Sequence, residues 1–258
     1  MGSCAGTVRI EPDGNFPLLE PTAAVGLGSS AAAICSDGDL LLVLENSGTR
    51  IIRFSTALTV SDTIPLSERV TAPAGVSADR FHYYVFDDHR LYRMSKDNAS
   101  LEVWLNNVRV AGLASFEPGR MLVSDDERNS IWFKGFFGES RLFISSAEVA
   151  RPGAMAALPD GSFAVLGGSS RLLCFLNRSG VVTRALSLPA PCDLLAADAG
   201  GTLCLGKMGK PQVYVLRESM MAGYRLPDTT SPLSLALVGD RLAVLDAGAR
   251  LAVFRIGK

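Results

Sequence analysis

Along most of the chain, short apolar runs alternate with polar positions, and Gly, Asp, Asn or Pro separates each run from the next. Residues 152–166, PGAMAALPDGSFAVL, show the scheme: an apolar run, a Pro-Asp-Gly turn, then a second apolar run. Residues 31–45 (AAAICSDGDLLLVLE) repeat it around Asp37-Gly38, and residues 112–124 (GLASFEPGRMLVS) around Pro118-Gly119. The same scheme recurs at residues 73–86, 191–205 and 232–245. An amphipathic helix would need apolar residues three and four apart over roughly 11–18 positions, and the turn residues interrupt every such window. The pattern therefore predicts β-strands joined by tight turns.

Aligning the copies on their second strand places Val43, Val85, Val123, Val165, Leu205 and Val244 in register, at spacings of 42, 38, 42, 40 and 39. Each copy continues into a third strand (TRIIRF, HRLYRM, NSIWFK, SRLLCF, QVYVLR, ARLAVF) and most into a less regular fourth, such as VVTRALSL. Four strands at a period near 40, six times over, predict an all-β, six-bladed β-propeller. The first strands are rich in Ala and Gly, as crowding near a central axis requires, whereas the second and third carry Val, Leu, Ile and Phe for packing between sheets. The sixth copy ends one strand short at Lys258. An N-terminal strand is expected to close that blade, and Thr7-Val8-Arg9-Ile10 is the expected segment. This gives a tail with closing strand over residues 1–30 and a propeller over 31–258.

Composition narrows the function classes. With 25 Lys plus Arg against 26 Asp plus Glu, the net charge is -1, without the basic excess of a general nucleic-acid binder. No apolar run approaches the roughly 18 residues of a membrane-spanning helix. The five cysteines include no CxxC pair and their density is far below that of a disulfide-stapled domain. Cys35, Cys174 and Cys204 lie in apolar strands, where Cys behaves as a small hydrophobe. Centring the hairpin turn on Ala199 and Gly200 sets Cys204 opposite Leu195, away from Cys192.

The copies resemble NHL repeats. The likeness is clearest in DGDLLLVLENSGTRIIRF, residues 37–54, and in GLASFEPGRMLVSDDERNSIWF, residues 112–133. The fourth copy keeps Pro152, Asp160-Gly161 and Arg171-Leu172; the fifth has Lys207 where the family has Asp, and the sixth retains Asp246. This resemblance, spanning about residues 31–255, implies a scaffold or binding platform for proteins, peptides or small molecules. Some six-bladed relatives are metal-dependent lactonases or amidating lyases, which use acidic, Asn or His residues converging on the axis. Fold and function remain separable in such families.

Candidate chemistry is sparse. Of the two histidines, His82 reads as a packed residue of a second strand, and His89 follows Asp87-Asp88 in the next loop. An Asp-Asp-His cluster can bind a cation, yet Asp commonly bonds its own turn backbone, and one histidine cannot furnish a three-histidine zinc site. No G-x-S-x-G elbow is present. The glycine strings at 26–30 and 166–170 lack the following Lys and helix of a phosphate cradle. No cofactor, no resident metal and no catalytic residue are expected, with a metal-dependent hydrolase, lactonase or lyase near Asp87, Asp88 and His89 as the alternative.

The loops joining second to third strands, on the face that also carries the links between blades, are more informative. They read Glu45-Asn46-Ser47, Asp87-Asp88-His89, Asp125-Asp126-Glu127-Arg128, Gly167-Gly168-Ser169, Lys207-Met208-Gly209-Lys210 and Asp246-Ala247-Gly248. The face is expected to be acidic over blades two and three and basic over blade five, a polarised surface that orients a partner. Phe136 and Phe137, in a turn between Gly135 and Gly138, form a second candidate docking patch. At the N-terminus, Ser3-Cys4-Ala5-Gly6 resembles the cleavage region of a bacterial lipoprotein, with Cys4 the lipidated residue. That reading requires Met1-Gly2-Ser3 to stand in place of an apolar leader, and a cytoplasmic protein is the alternative. The expectation is a monomeric, non-enzymatic scaffold for a protein or peptide partner, tied to a membrane only through a lipid at Cys4. A small-ligand sensor using the central channel is a further alternative.

Overall fold

A computed structural model describes residues 16–144, 149–167 and 171–257, together with the backbone of 9–10. The N-terminal part contributes β1 (Arg9–Ile10) and β2 (Pro21–Gly26). Blade one comprises β3 (Ala31–Asp37), β4 (Leu40–Glu45), β5 (Arg50–Ser55) and β6 (Val60–Pro65). Blade two comprises β7 (Gly75–Ala78), β8 (His82–Phe86), β9 (Arg90–Ser95) and β10 (Leu101–Asn106). Blade three follows as β11 (Val110–Glu117), β12 (Arg120–Asp125), β13 (Ser130–Lys134) and β14 (Ser140–Ile144). Blade four is β15 (Met155–Ala157), β16 (Phe163–Leu166), β17 (Leu172–Leu176) and β18 (Val182–Ser187). Blade five is β19 (Leu194–Ala197), β20 (Leu203–Gly206), β21 (Gln212–Arg217) and β22 (Met220–Arg225). Blade six is β23 (Pro232–Val238), β24 (Arg241–Asp246), β25 (Arg250–Arg255) and, returning to the start of the chain, β2.

The chain is a six-bladed β-propeller. The residues that set the repeat register, Val43, Val85, Val123, Val165, Leu205 and Val244, are all 0% exposed, so the periodicity in the sequence is the periodicity of burial. The core is a set of six apolar clusters, one in each seam between neighbouring blades. Polar links cross the seams as well. Lys96 Nζ binds Asp37 at 2.7 Å between blades two and one, and Ser124 Oγ donates to the Gly153 carbonyl at 2.8 Å between blades three and four. Burial at every seam, with no gap between first and last blades, is what holds a ring of small sheets together.

Closure differs in detail from the sequence expectation. The strand that completes blade six is β2, not Thr7–Ile10, and it pairs antiparallel with β25 through Val25–Leu251 and Gly26–Arg250. Thr7 and Val8 lie outside the described residues, while Arg9 and Ile10 pair parallel with Met220 and Met221, adding a fifth strand to blade five. The reason is topological. The outer strand of each blade leads into the first strand of the next, and Pro21–Gly26 is the segment that precedes Ala31. Residues 1–6, including Cys4, also lie outside the described residues.

A second correction concerns the blade-five hairpin, where Cys204 faces Ala196 rather than Leu195. Asp198 sets this register: its amide bonds the Thr202 carbonyl at 3.0 Å, and its carbonyl accepts from Gly201 at 3.1 Å, centring the turn on Gly200. No disulfide joins Cys35, Cys192 or Cys204.

Candidate functional site

The second-to-third-strand loops share one face with the links between blades. Backbone bonds tie the two together, as between the Val108 amide and the His89 carbonyl at 3.3 Å, and the Leu66 amide and the Thr49 carbonyl at 2.8 Å. Four blades place an acid at the end of their second strand or, in blade two, just after it, where it closes the loop. Asp87 Oδ1 accepts from the amides of His89 at 2.8 Å and Arg90 at 2.7 Å, and its Oδ2 accepts from the Tyr92 hydroxyl at 3.0 Å. Asp125, 1% exposed, accepts from the Arg128 amide at 2.9 Å and faces the Arg128 guanidinium at 3.5 Å. Asp246 accepts from the amides of Ser231 and Gly248. Glu45 is held by Arg50 through bonds of 2.5 and 2.7 Å, and that hydrogen bonding keeps its carboxyl below the usual carboxylate range.

The acidic residues singled out in the sequence therefore divide in two. Asp87 and Asp125 are buried and engaged in their own loops. Asp126 is partly covered and pairs with Arg109 at 3.4 Å. Asp88, His89, Glu127 and Arg128 are exposed on the face, with Arg90 beside them. In blade four Gly167 is buried, while Gly168 and Ser169 lie outside the described residues.

Blade five inverts the arrangement. Lys207 stands where the other blades have an acid, and its Nζ contacts Asp193 Oδ2 at 2.6 Å; the Met208 amide donates to Asp193 Oδ1 at 2.7 Å. The loop-closing carboxylate thus comes from the segment before the first strand. Sequence reading did not find Asp193, although a Lys in an otherwise acidic position is a signal to look for a compensating acid. Outside this pair, Lys210 is exposed and lines a cavity of about 530 Å³ together with Arg225 and the aromatic rings of Phe16 and Tyr214.

Phe136 and Phe137 belong to the turn between β13 and β14 and so emerge on the opposite face from the acidic and basic loops. Phe136 packs into the seam of blades two and three, its ring centroid 5.9 Å from His82 and the Arg93 guanidinium 5.5 Å from its centre. Phe137 is 92% exposed and touches Phe136 edge-on at 5.1 Å. His82 is buried, as a packed strand residue should be.

The central channel, about 880 Å³, is lined by the six first strands, whose Ala, Ser and Gly residues leave the hub open. Asp193 is the one charged side chain among the described residues that line it, and its carboxylate is already bonded to Lys207 and to the Met208 amide. Among the described residues, no group of three or more His, Cys, Asp or Glu side chains is placed to hold a metal ion.

No family model matches the chain, and no curated protein matches its sequence. Solved structures do match its fold. A catalytically inactive virginiamycin B lyase variant from Staphylococcus aureus, solved with quinupristin, superposes with a TM-score of 0.67 at 13% identity, over 89% of this chain and 82% of that one. A chain of the mitotic checkpoint complex gives 0.69 at 11% identity, over 98% and 97%. A structural genomics protein of unknown function from Bacteroides thetaiotaomicron gives 0.65 at 11% identity, over 94% and 75%. At such identities the likeness establishes the propeller architecture, which serves binding and scaffold roles in general.

Proposed function

We propose that this propeller is a non-enzymatic interaction module of the NHL-like kind that docks a protein or peptide on its second-to-third-strand loop face. The observation that carries the reading is a contrast between hub and rim. Among the described residues, the one charged side chain lining the channel is already paired, so these residues offer the hub no poised acid or base. The rim keeps side chains of both signs in solvent: Asp88 and Glu127 beside Arg90 and Arg128 over blades two and three, and Lys210 and Arg225 over blade five. Such polarity orients an incoming partner and raises its association rate. Phe137, on the other face, is the competing docking point.

Two variants test the choice of face. Asp88→Lys with Glu127→Lys reverses the exposed acids without touching the loop-closing carboxylates, and Phe137→Ala removes the exposed ring. Crosslinked capture of one specific partner that is lost in the first variant and kept in the second supports the proposal; the reverse outcome moves the surface to the Phe137 face. Tight, saturable uptake of Ca²⁺ or Zn²⁺ by the folded protein would instead favour the metal-dependent hydrolase or lyase reading. The same proposal puts the protein outside the cytoplasm, held to a membrane by a lipid on Cys4. Labelling of the protein by a palmitate analogue, abolished in Cys4→Ser, checks that part separately.

A further inference from the structure

The cavity at the outer rim of blade five has a composition unlike the rest of the loop face. Its apolar wall is made by Phe16 and Tyr214, whose rings meet edge-to-face at 5.9 Å and 86°, and by the rigid Pro191 and Pro211. The N-terminal segment supplies Phe16, and the sequence provides for it. Gly223 lies directly across the sheet from Tyr214, and a Cβ there would come within 2.3 Å of the Phe16 ring. A glycine opposite an aromatic residue is therefore what lets that ring lie on the sheet.

Three cations border this wall. Lys207 is neutralised by Asp193 at 2.6 Å. Lys210 and Arg225 have no acidic partner among the described residues. At about 530 Å³, the cavity falls within the range of small-ligand sites, which are concave, mostly apolar and fixed by a few polar groups. Two cations with no acidic partner among the described residues, beside an aromatic wall, suit a ligand with a planar apolar body and a negative terminus, because a charged bond to Arg or Lys is stronger than a neutral one.

We propose that this cavity binds an aromatic carboxylate, with the ring against Phe16 and Tyr214 and the carboxylate between Lys210 and Arg225. The site stands whether or not a protein docks on the loop face, since a free aromatic acid and the C-terminal aromatic residue of a peptide share this chemistry.

The test is calorimetric titration of the full chain with N-acetyl-phenylalanine, with its uncharged amide, and with Gly-Gly-Phe. The acid should bind with a Kd in the millimolar range or tighter, and about tenfold more tightly than the amide. Lys210→Ala with Arg225→Ala should abolish that preference while the melting temperature holds, since both side chains are exposed. Phe16→Ala should weaken acid and amide alike. Tighter binding of Gly-Gly-Phe than of the N-acetyl acid identifies a peptide C-terminus as the natural ligand; equal or weaker binding identifies a free acid. Equal affinity for acid and amide, an unchanged Kd in the double variant, or no uptake of any probe at millimolar concentration would overturn the proposal.

Discussion

Asp79 of blade two and Gly119 of blade three are joined across their seam by a 2.7 Å hydrogen bond from the Gly119 amide to Asp79 Oδ2. The same carboxylate accepts from the Tyr84 hydroxyl and from the amides of Phe81 and His82, each at 2.7 Å. One side chain thus closes its own hairpin and fastens it to the next. Burial pushes the Asp79 carboxyl up, but these hydrogen bonds outweigh it and hold the group below the usual carboxylate range. A depressed folded-state pKa stabilises the protein above the unfolded value of about 3.9 and loses that contribution as pH falls through the folded value. Asp79→Asn should therefore cost about 2–3 kcal/mol at pH 7. Urea denaturation at a series of pH values should show the gap to the parent closing below about pH 4.

The hub makes a separate demand on residue size. A Cβ on Gly112 would lie 2.5 Å from the Gly153 carbonyl oxygen and 2.9 Å from the Ala154 Cα, both backbone atoms of blade four. Backbone cannot swing aside as a side chain can, so Gly112→Ala must push two first strands apart. The expected loss is about 2–3 kcal/mol, or a fall in Tm of roughly 5–10 °C for a domain of this size. Gly26→Ala, where no atom lies within 4 Å of the added Cβ, is the control and should stay within about 0.5 kcal/mol.

The blades were legible because the information that makes them is local. Alternation, turn residues and the small first strands all act within one copy, and all six register residues proved fully buried. The closing strand was not, because its partner Val253 lies 230 residues from Ala23, and both Thr7–Ile10 and Pro21–Gly26 suit an edge. The candidate surface was half legible. Loop-closing and solvent-facing acids are the same residue types, so Asp87 and Asp88 look alike until hydrogen bonds separate them. The Lys207–Asp193 pair needed the hairpin register, which a half-residue difference in turn centre shifts by one position.

That division among the acids has an energetic consequence. Asp125 is 1% exposed and accepts from the Arg128 amide, whereas Glu127, two positions on, is exposed. Asp125→Ala strips the Arg128 amide of its acceptor and should destabilise by about 1–3 kcal/mol. Glu127→Ala should change stability by no more than about 0.5 kcal/mol. Thermal melts of the two single variants, read beside partner capture, separate loss of the loop from loss of the surface.

The cysteines report on whether the seams stay shut. Cys204 is 0% exposed and Cys192 1%; burial pushes both thiols up, Cys192 to about 12 with help from the neighbouring Asp193 charge. Since the thiolate is the reactive form, Cys192 should hold roughly a thousandfold less of it at pH 8 than an unfolded thiol does. Cys35 is half-buried and lines the channel; burial and the Asp37 charge push its thiol up as well, so it differs from the other two in access and not in thiolate content. In a Cys4→Ser background, a disulfide reagent at pH 8 should modify Cys35 first. Cys192 and Cys204 should react only as fast as blades open, and both should react at once in guanidinium chloride. Immediate modification of Cys204 in the native protein would mean that the seam between blades five and six, where it packs against Leu235 and Val244, is not closed in solution.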